Sequence, residues 1–225
     1  MPLPRTAIAD ADWTAGQNPS VWLTERELVI FRHWLSQTRQ SEWLAGRLAA
    51  KRLLWEEEKI APLSWSIGRD GVAPAIDGCD LPTILLSLSH SHGAGAATLS
   101  DSRTEGSAGI DFQRIRPVHP GLCARVFTQN ERDQIAARFG SESSTEGMLL
   151  LWALKEAAIK ARRLPWGRSL QSVEVRLLST GTSEIVLPGE PPQTAQFERH
   201  GEWWLARAVK AASPDTSANS PETRR

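Results

Sequence analysis

The stretch LLLWALKEAAIKA, residues 149–161, decides how this chain is read. It is rich in Leu and Ala, both strong helix formers. At about 100° per residue, Leu150, Leu154, Ala157 and Ala161 fall within one arc of about 60°. That arc predicts the buried face of a helix. Trp152, Glu156 and Lys160 form a second stripe at about 200°, 240° and 280° from Leu150, with Lys155 beside it. Glu156 and Lys160 are an i,i+4 pair in the favourable order, which on a solvated face contributes only about 0.3–0.5 kcal/mol. The Trp ring beside them indicates that this second face also meets something, either another element or a cleft wall.

Working outward, two segments open with a capping box, in which a Thr caps the helix and a Glu three residues on reaches back. One is TERELVIFRHWLS (24–36), with Thr24 and Glu27. The other is FTQNERDQIAARFG (127–140), with Thr128 and Glu131, where Gly140 can end the helix. SEWLAGRLAAKRLLWEEE (41–58) reads as a further helix. LSWSI, TILLSLSH, AGAATLS and GSAGIDF read as strands, short and bounded by Gly, Ser and Asp. SVEVRLL, SEIVL, TAQFERH and EWWLARAVK close the chain as an antiparallel set. The order is helices then strands, twice over, which predicts an α+β fold of two halves rather than an alternating parallel sheet. The halves are placed at 1–106 and 107–211, with no strong sequence repeat between them. Residues 212–225, ASPDTSANSPETRR, are polar and rich in Pro and Ser, and predict a disordered tail.

Composition narrows the function. The 225 residues carry 26 Lys+Arg and 26 Asp+Glu, so the formal net charge is zero. A general nucleic-acid binder would show a basic excess, so any attraction for anions must be local. The two cysteines, Cys79 and Cys123, form no C-x-x-C pattern, which argues against a zinc site. The N-terminus lacks a basic stretch followed by an apolar run, and no segment reaches the roughly 18 apolar residues of a membrane span. The expected setting is a reducing cytoplasm. No G-x-G-x-x-G or Walker A loop is present, so neither standard nucleotide cradle applies.

Four clusters carry the candidate chemistry. In GRLAAKRLL, Arg47 and Lys51 are i,i+4 and would project together, either as a phosphate-holding pair or as a solvated basic face. In SLSHSHGAGAAT, Ser89 and His90 end an apolar strand before a Gly pair, a turn that lets backbone N–H groups and an imidazole reach an anion, or an ordinary hairpin. In GIDFQ, Asp111 lies between Ile110 and Phe112, where a carboxylate is costly unless it is paired, metal-bound or at a strand end. Asp111 and Gln113 share one face of the strand, and two oxygen ligands side by side suit a hard cation such as Mg²⁺. The 149–161 helix adds Glu156 as a further oxygen ligand, with Lys155 and Lys160 as charge partners. Together these groups describe a polyanion site with a divalent ion, best suited to phosphoryl transfer.

GIDFQ followed by WALKEAAIK resembles the paired signatures of the 4′-phosphopantetheinyl transferase superfamily. SLSHS is similar to the upstream Ser-His motif. WLAGRLAAKRLL, RDGVAP and VFTQNE resemble segments of its larger, Sfp-type members, in order, over residues of about 40 to 165. The resemblance implies a pseudo-two-fold α+β monomer with its site between the halves. It implies transfer of the phosphopantetheine arm of coenzyme A to a serine of an acyl or peptidyl carrier protein, in fatty-acid, polyketide or nonribosomal peptide synthesis, releasing adenosine 3′,5′-bisphosphate. It assigns Asp111, Glu156 and the Gln113 position to Mg²⁺, with Mn²⁺ as a possible substitute. It assigns Lys160 and Lys155 to charge stabilisation, Ser89 and His90 to phosphate, and Arg47 with Lys51 to the 3′-phosphate. Glu156 would take the serine proton, with Glu131 as a second candidate. No nucleic acid or membrane partner is implied. Many large members carry an acidic residue where this chain has Gln113. ARRLPWGRSL, with Arg162, Arg163 and Trp166, stands in place of a Gly-rich turn and is the expected carrier dock. Two other readings use the same residues: a non-catalytic module binding coenzyme A or a carrier, and a Mg²⁺-dependent phosphohydrolase.

Overall fold

In the computed structural model, which describes residues 4–119, 121–164 and 170–212, one order of elements occurs twice. The first run is strand β1 (Arg5–Ala9), helices α1 (Ala11–Ala15), α2 (Pro19–Trp22), α3 (Glu25–His33) and α4 (Gln37–Glu58), then β2 (Ser66–Asp70), β3 (Ala73–Asp77), β4 (Ile84–Ser91) and β5 (Ala94–Asp101). The second is β6 (Ser107–Arg114), helices α5 (Leu122–Val126), α6 (Gln129–Phe139) and α7 (Thr145–Ala161), then β7 (Glu174–Ser179), β8 (Thr182–Val186), β9 (Gln193–His200) and β10 (Trp203–Lys210). In each run the last strand pairs antiparallel with the first and with its immediate predecessor. The sheets are β1-β5-β4 with a separate β2-β3 hairpin, and β6-β10-β9-β8-β7. The fold is thus α+β in two similar halves. Each half has its own apolar core, and a third cluster of Ala94, Ala96, Ile110, Phe112 and Leu205 joins them.

Both predicted capping boxes form, at Thr24/Glu27 and Thr128/Glu131. Gly140 ends α6 with φ 80°, a left-handed conformation that glycine adopts without steric cost. The sequence reading misses β1 and β3 and places β2 three residues early. These strands are five residues long, too short to show a period, and β1 owes its state to pairing with β5 in a register that joins Arg5 to Leu99.

The capping glutamates also reveal a repeat the sequence reading does not find. Twenty-four residues separate Glu27 from Lys51, and the same number separates Glu131 from Lys155. Lys51 Nζ lies 2.8 Å from Glu27 and donates to the Pro62 and Trp65 carbonyls, while Glu27 Oε1 accepts from Ile67 N–H. Lys155 Nζ lies 2.8 Å from Glu131 and donates to the Val126 and Leu170 carbonyls, while Glu131 Oε1 accepts from Val175 N–H. Each is a buried clamp tying two helices to the loop and strand that follow. Its ions are tolerable inside because every charge is paired and hydrogen-bonded.

The halves also meet through hydroxyls. β6 is an edge strand of its sheet. Two of its N–H groups, of Ala108 and Ile110, donate to Ser100 Oγ and Ser87 Oγ of the other half. Side chains replace a backbone ladder there, so the second sheet docks without fusing to the first.

Candidate active site

Helix α7 lies unusually close to β6 because Gly109 has no side chain. A Cβ there would sit 2.0 Å from the Ala157 carbonyl oxygen and 2.3 Å from Ala161 N. That close approach brings Lys160 to the strand, where Nζ donates to Asp111 Oδ1 at 2.6 Å and to the Ile110 carbonyl at 3.1 Å. Gly109→Ala must push the helix outward. We expect a loss of about 1–3 kcal/mol in urea denaturation, the usual cost of overpacking, together with weakened Mn²⁺ uptake.

Asp111 is the centre of the cluster. Oδ1 accepts from Ser89 Oγ at 2.7 Å as well as from Lys160, whereas Oδ2 is buried with no partner among the described residues. Glu156 is buried and makes no hydrogen bond or ion pair among the described residues. Burial raises its pKa above the usual carboxylate range; Lys160 pulls it down, and the nearby Asp111 charge raises it further. Two neighbouring buried carboxylates, one with an orphaned oxygen and one unpaired among the described residues, beside a single ammonium, fit a hard divalent cation. Among the described residues no group of three or more His, Cys, Asp or Glu could hold a metal alone. The shell would therefore need oxygens from a ligand, as Mg²⁺ commonly takes from phosphates. Gln113 lies two residues along the strand, and its amide N–H₂ donates weakly to the Arg114 carbonyl at 3.4 Å.

The opposite wall comes from α4. The Arg47 guanidinium lies 3.4 Å from the centroid of the Trp43 ring, and its Nε is buried without a partner. It has no ion pair among the described residues. Burial lowers its pKa to about 10, with Glu27 pulling it up and Arg69 pushing it further down. A cation held on an aromatic face with no carboxylate partner is suited to an anion. His90 is exposed near the end of β4, close to both Arg47 and Lys160. Its ring packs over Gly46, and it feels the charges of Glu42, Lys160, Arg47 and Asp111. Desolvation by the surrounding chain lowers its pKa, and the two cations outside it act in the same direction.

Several expected roles do not survive this geometry. Lys51 does not project with Arg47; it is buried in its clamp and presents nothing to a phosphate. Lys155 and Glu131 are likewise fully buried against each other, so neither reaches a ligand on the Glu156 face. Ser89 and His90 lie at the end of strand β4, as read, but alternate positions send them to opposite faces, so they do not act together. Ser89 is buried against Asp111. Among the described residues of the expected basic patch after α7, Arg162 is buried and bonded to Glu190, and Arg163 pairs with Asp70 of the other half. Trp166 and residues 213–225 of the expected tail lie outside the described residues. The helix is buried almost all round, in keeping with a second face that also meets other elements: β6 and β10 underlie it and α6 flanks it. The Trp43–Arg47 contact escapes the sequence reading, although its i,i+4 spacing is the signal that could have found it.

Residues 107–212 match the family model described as the 4′-phosphopantetheinyl transferase superfamily. The 4′-phosphopantetheinyl transferase ffp of Bacillus subtilis is 30% identical over 110 residues, which are 48% of this chain and 46% of that protein. The 4′-phosphopantetheinyl transferase Sfp of Bacillus subtilis strain 168 is 30% identical over 138 residues, 60% of this chain and 58% of that one. The chain thus spans about half the length of the curated relatives it matches. Among solved structures, a holo-[acyl-carrier-protein] synthase from Thermotoga maritima aligns at 21% identity with a TM-score of 0.38, covering 45% of this chain and 61% of that one.

Proposed function

We propose that this chain, with residues 107–212 in the 4′-phosphopantetheinyl transferase superfamily, moves the phosphopantetheine arm of coenzyme A onto a serine of an acyl or peptidyl carrier protein. The observation that carries this reading is the pair Asp111 and Glu156, two buried carboxylates that Lys160 alone does not neutralise. Asp111 and Glu156 would hold Mg²⁺ on the pyrophosphate of coenzyme A, with Gln113 able to offer a carbonyl oxygen. The ion, when bound, supplies charge neutralisation on the phosphoryl oxygens and the leaving group.

The chain's own residues do the rest. Lys160, held by Asp111 and the Ile110 carbonyl, keeps an ammonium at the pyrophosphate. His90 can donate to the same anion from β4. Arg47 lies farther along α4, where it would meet the 3′-phosphate. The serine oxygen forms the new P–O bond, the bond to adenosine 3′,5′-bisphosphate breaks, and the serine proton passes to Glu156 or to a water it orients.

Arg47→Ala should raise KM for coenzyme A by about 10-fold or more, the scale of one charge-assisted hydrogen bond, while KM for dephospho-coenzyme A, which lacks the 3′-phosphate, stays close to wild type. Steady-state kinetics with both substrates checks this, and an equal loss for the two removes Arg47 from the 3′-phosphate. Among the described residues no helix is long and apolar enough to cross a membrane.

A further inference from the structure

Ser89 reaches Asp111 across the junction of the halves. It lies on β4, Asp111 lies on β6, and the two strands belong to different sheets. The contact is 2.7 Å, and both side chains are buried. Among the described residues, Oδ1 of Asp111 therefore accepts from two donors, Ser89 Oγ and Lys160 Nζ, whereas Oδ2 accepts from none. A carboxylate turns about its last torsion through a broad, roughly two-fold well, so something must select which oxygen faces which way. Lys160 alone selects poorly, because a lysine ammonium on a flexible stem follows whichever oxygen is presented. A hydroxyl anchored on a strand does not.

We infer that Ser89 is a positioning residue: by fixing Oδ1, its hydroxyl commits Oδ2 of Asp111 to the divalent ion. The inference rests on the metal role proposed for Asp111. It gives the Ser89 hydroxyl a partner other than the substrate phosphate and makes the ion site depend on how the two halves dock. Ser87 provides an internal comparison. It sits two residues earlier on the same strand face, crosses the same junction, and accepts only the Ile110 N–H.

The test is Mn²⁺ titration, read by the electron paramagnetic resonance of free Mn²⁺, into the full chain without coenzyme A. Ser89→Ala should weaken Mn²⁺ binding by about ten-fold, the lower end of what loss of a supporting partner costs a metal site. Ser89→Thr, which keeps the hydroxyl, should bind within about two-fold of wild type if its added methyl is accommodated. Ser87→Ala should lower the melting temperature and leave Mn²⁺ affinity alone. Coenzyme A affinity measured without metal should be the same for wild type and Ser89→Ala. Equal Mn²⁺ affinity in wild type and Ser89→Ala overturns the inference, and so does a loss in Ser87→Ala as large as that in Ser89→Ala. A metal-free loss of coenzyme A affinity in Ser89→Ala would return the hydroxyl to the substrate. If wild type takes up no Mn²⁺ either alone or when the titration is repeated with coenzyme A present to complete the shell, the two-carboxylate site fails, and Ser89 with it. That outcome is distinct from the others because it appears before any substitution is made.

Discussion

Replacing Glu156 by Gln should reduce transfer by roughly 10³-fold, the scale of losing several kcal/mol of charge stabilisation, and should leave the protein at least as stable as wild type. The two effects share one cause. Glu156 is buried beside Asp111 without a hydrogen bond or ion pair among the described residues, and its pKa is raised. A carboxyl group whose pKa is higher folded than unfolded has its ionised form disfavoured by folding. At neutral pH its charge therefore works against the fold, and that cost is relieved as pH falls through the raised pKa. An amide of the same shape removes the cost and the chemistry together. Thermal unfolding and transfer rates on the same preparation check both halves of the statement. A clear fall in melting temperature would mean that Glu156 has a structural partner after all.

Lys155→Met should do the opposite. It breaks a buried ion pair and strands Glu131, which should cost about 3–5 kcal/mol. Activity per folded molecule, assayed well below the melting temperature, should stay within about ten-fold of wild type, since among the described residues the ammonium bonds to Glu131 and two carbonyls and not to Asp111 or Glu156. Adding Glu131→Gln should recover part of the stability, because the remaining amide can still accept from Val175 N–H without a stranded charge. The same cycle at Lys51 and Glu27 should give losses of similar size. The N-terminal half serves as a control built into the chain. At the positions 104 residues before Glu156 and Lys160 it carries Arg52 and Glu56, an ordinary exposed pair 2.7 Å apart. The clamp thus occurs once beside the candidate chemistry and once without it. Urea denaturation of the four single and two double variants checks this. A Lys155→Met protein that is stable but inactive would put the lysine back among the reacting groups.

The residues legible in advance were those whose local pattern matches their final environment. Thr24, Glu27, Thr128 and Glu131 announce helix starts because a capping box is made within one turn. The strands of the second half show through because alternation is a local property. What stayed hidden depends on contacts between segments distant in the chain. Nothing around Lys155 or Lys51 distinguishes a buried lysine from a solvated one; the difference lies in a glutamate 24 residues away and in carbonyls of a following loop. Ser89 read as a substrate contact through the Ser-His motif it shares with His90, yet strand alternation sends the two apart, Ser89 to Asp111 and His90 to the exposed side. Gly109 looked like part of a motif; that helix α7 occupies the place of its missing Cβ emerges only in three dimensions.

The most direct measurement is the mass of a carrier protein. An apo acyl or peptidyl carrier is incubated with the full chain, coenzyme A and Mg²⁺, then weighed intact by mass spectrometry while adenosine 3′,5′-bisphosphate is quantified. The account predicts a carrier heavier by one phosphopantetheine group on its serine, equimolar bisphosphate, and no product with Glu156→Gln. Bisphosphate released over an unmodified carrier would make the chain a hydrolase. Coenzyme A bound and recovered intact, with no change in carrier mass across acyl and peptidyl types, would contradict catalysis altogether.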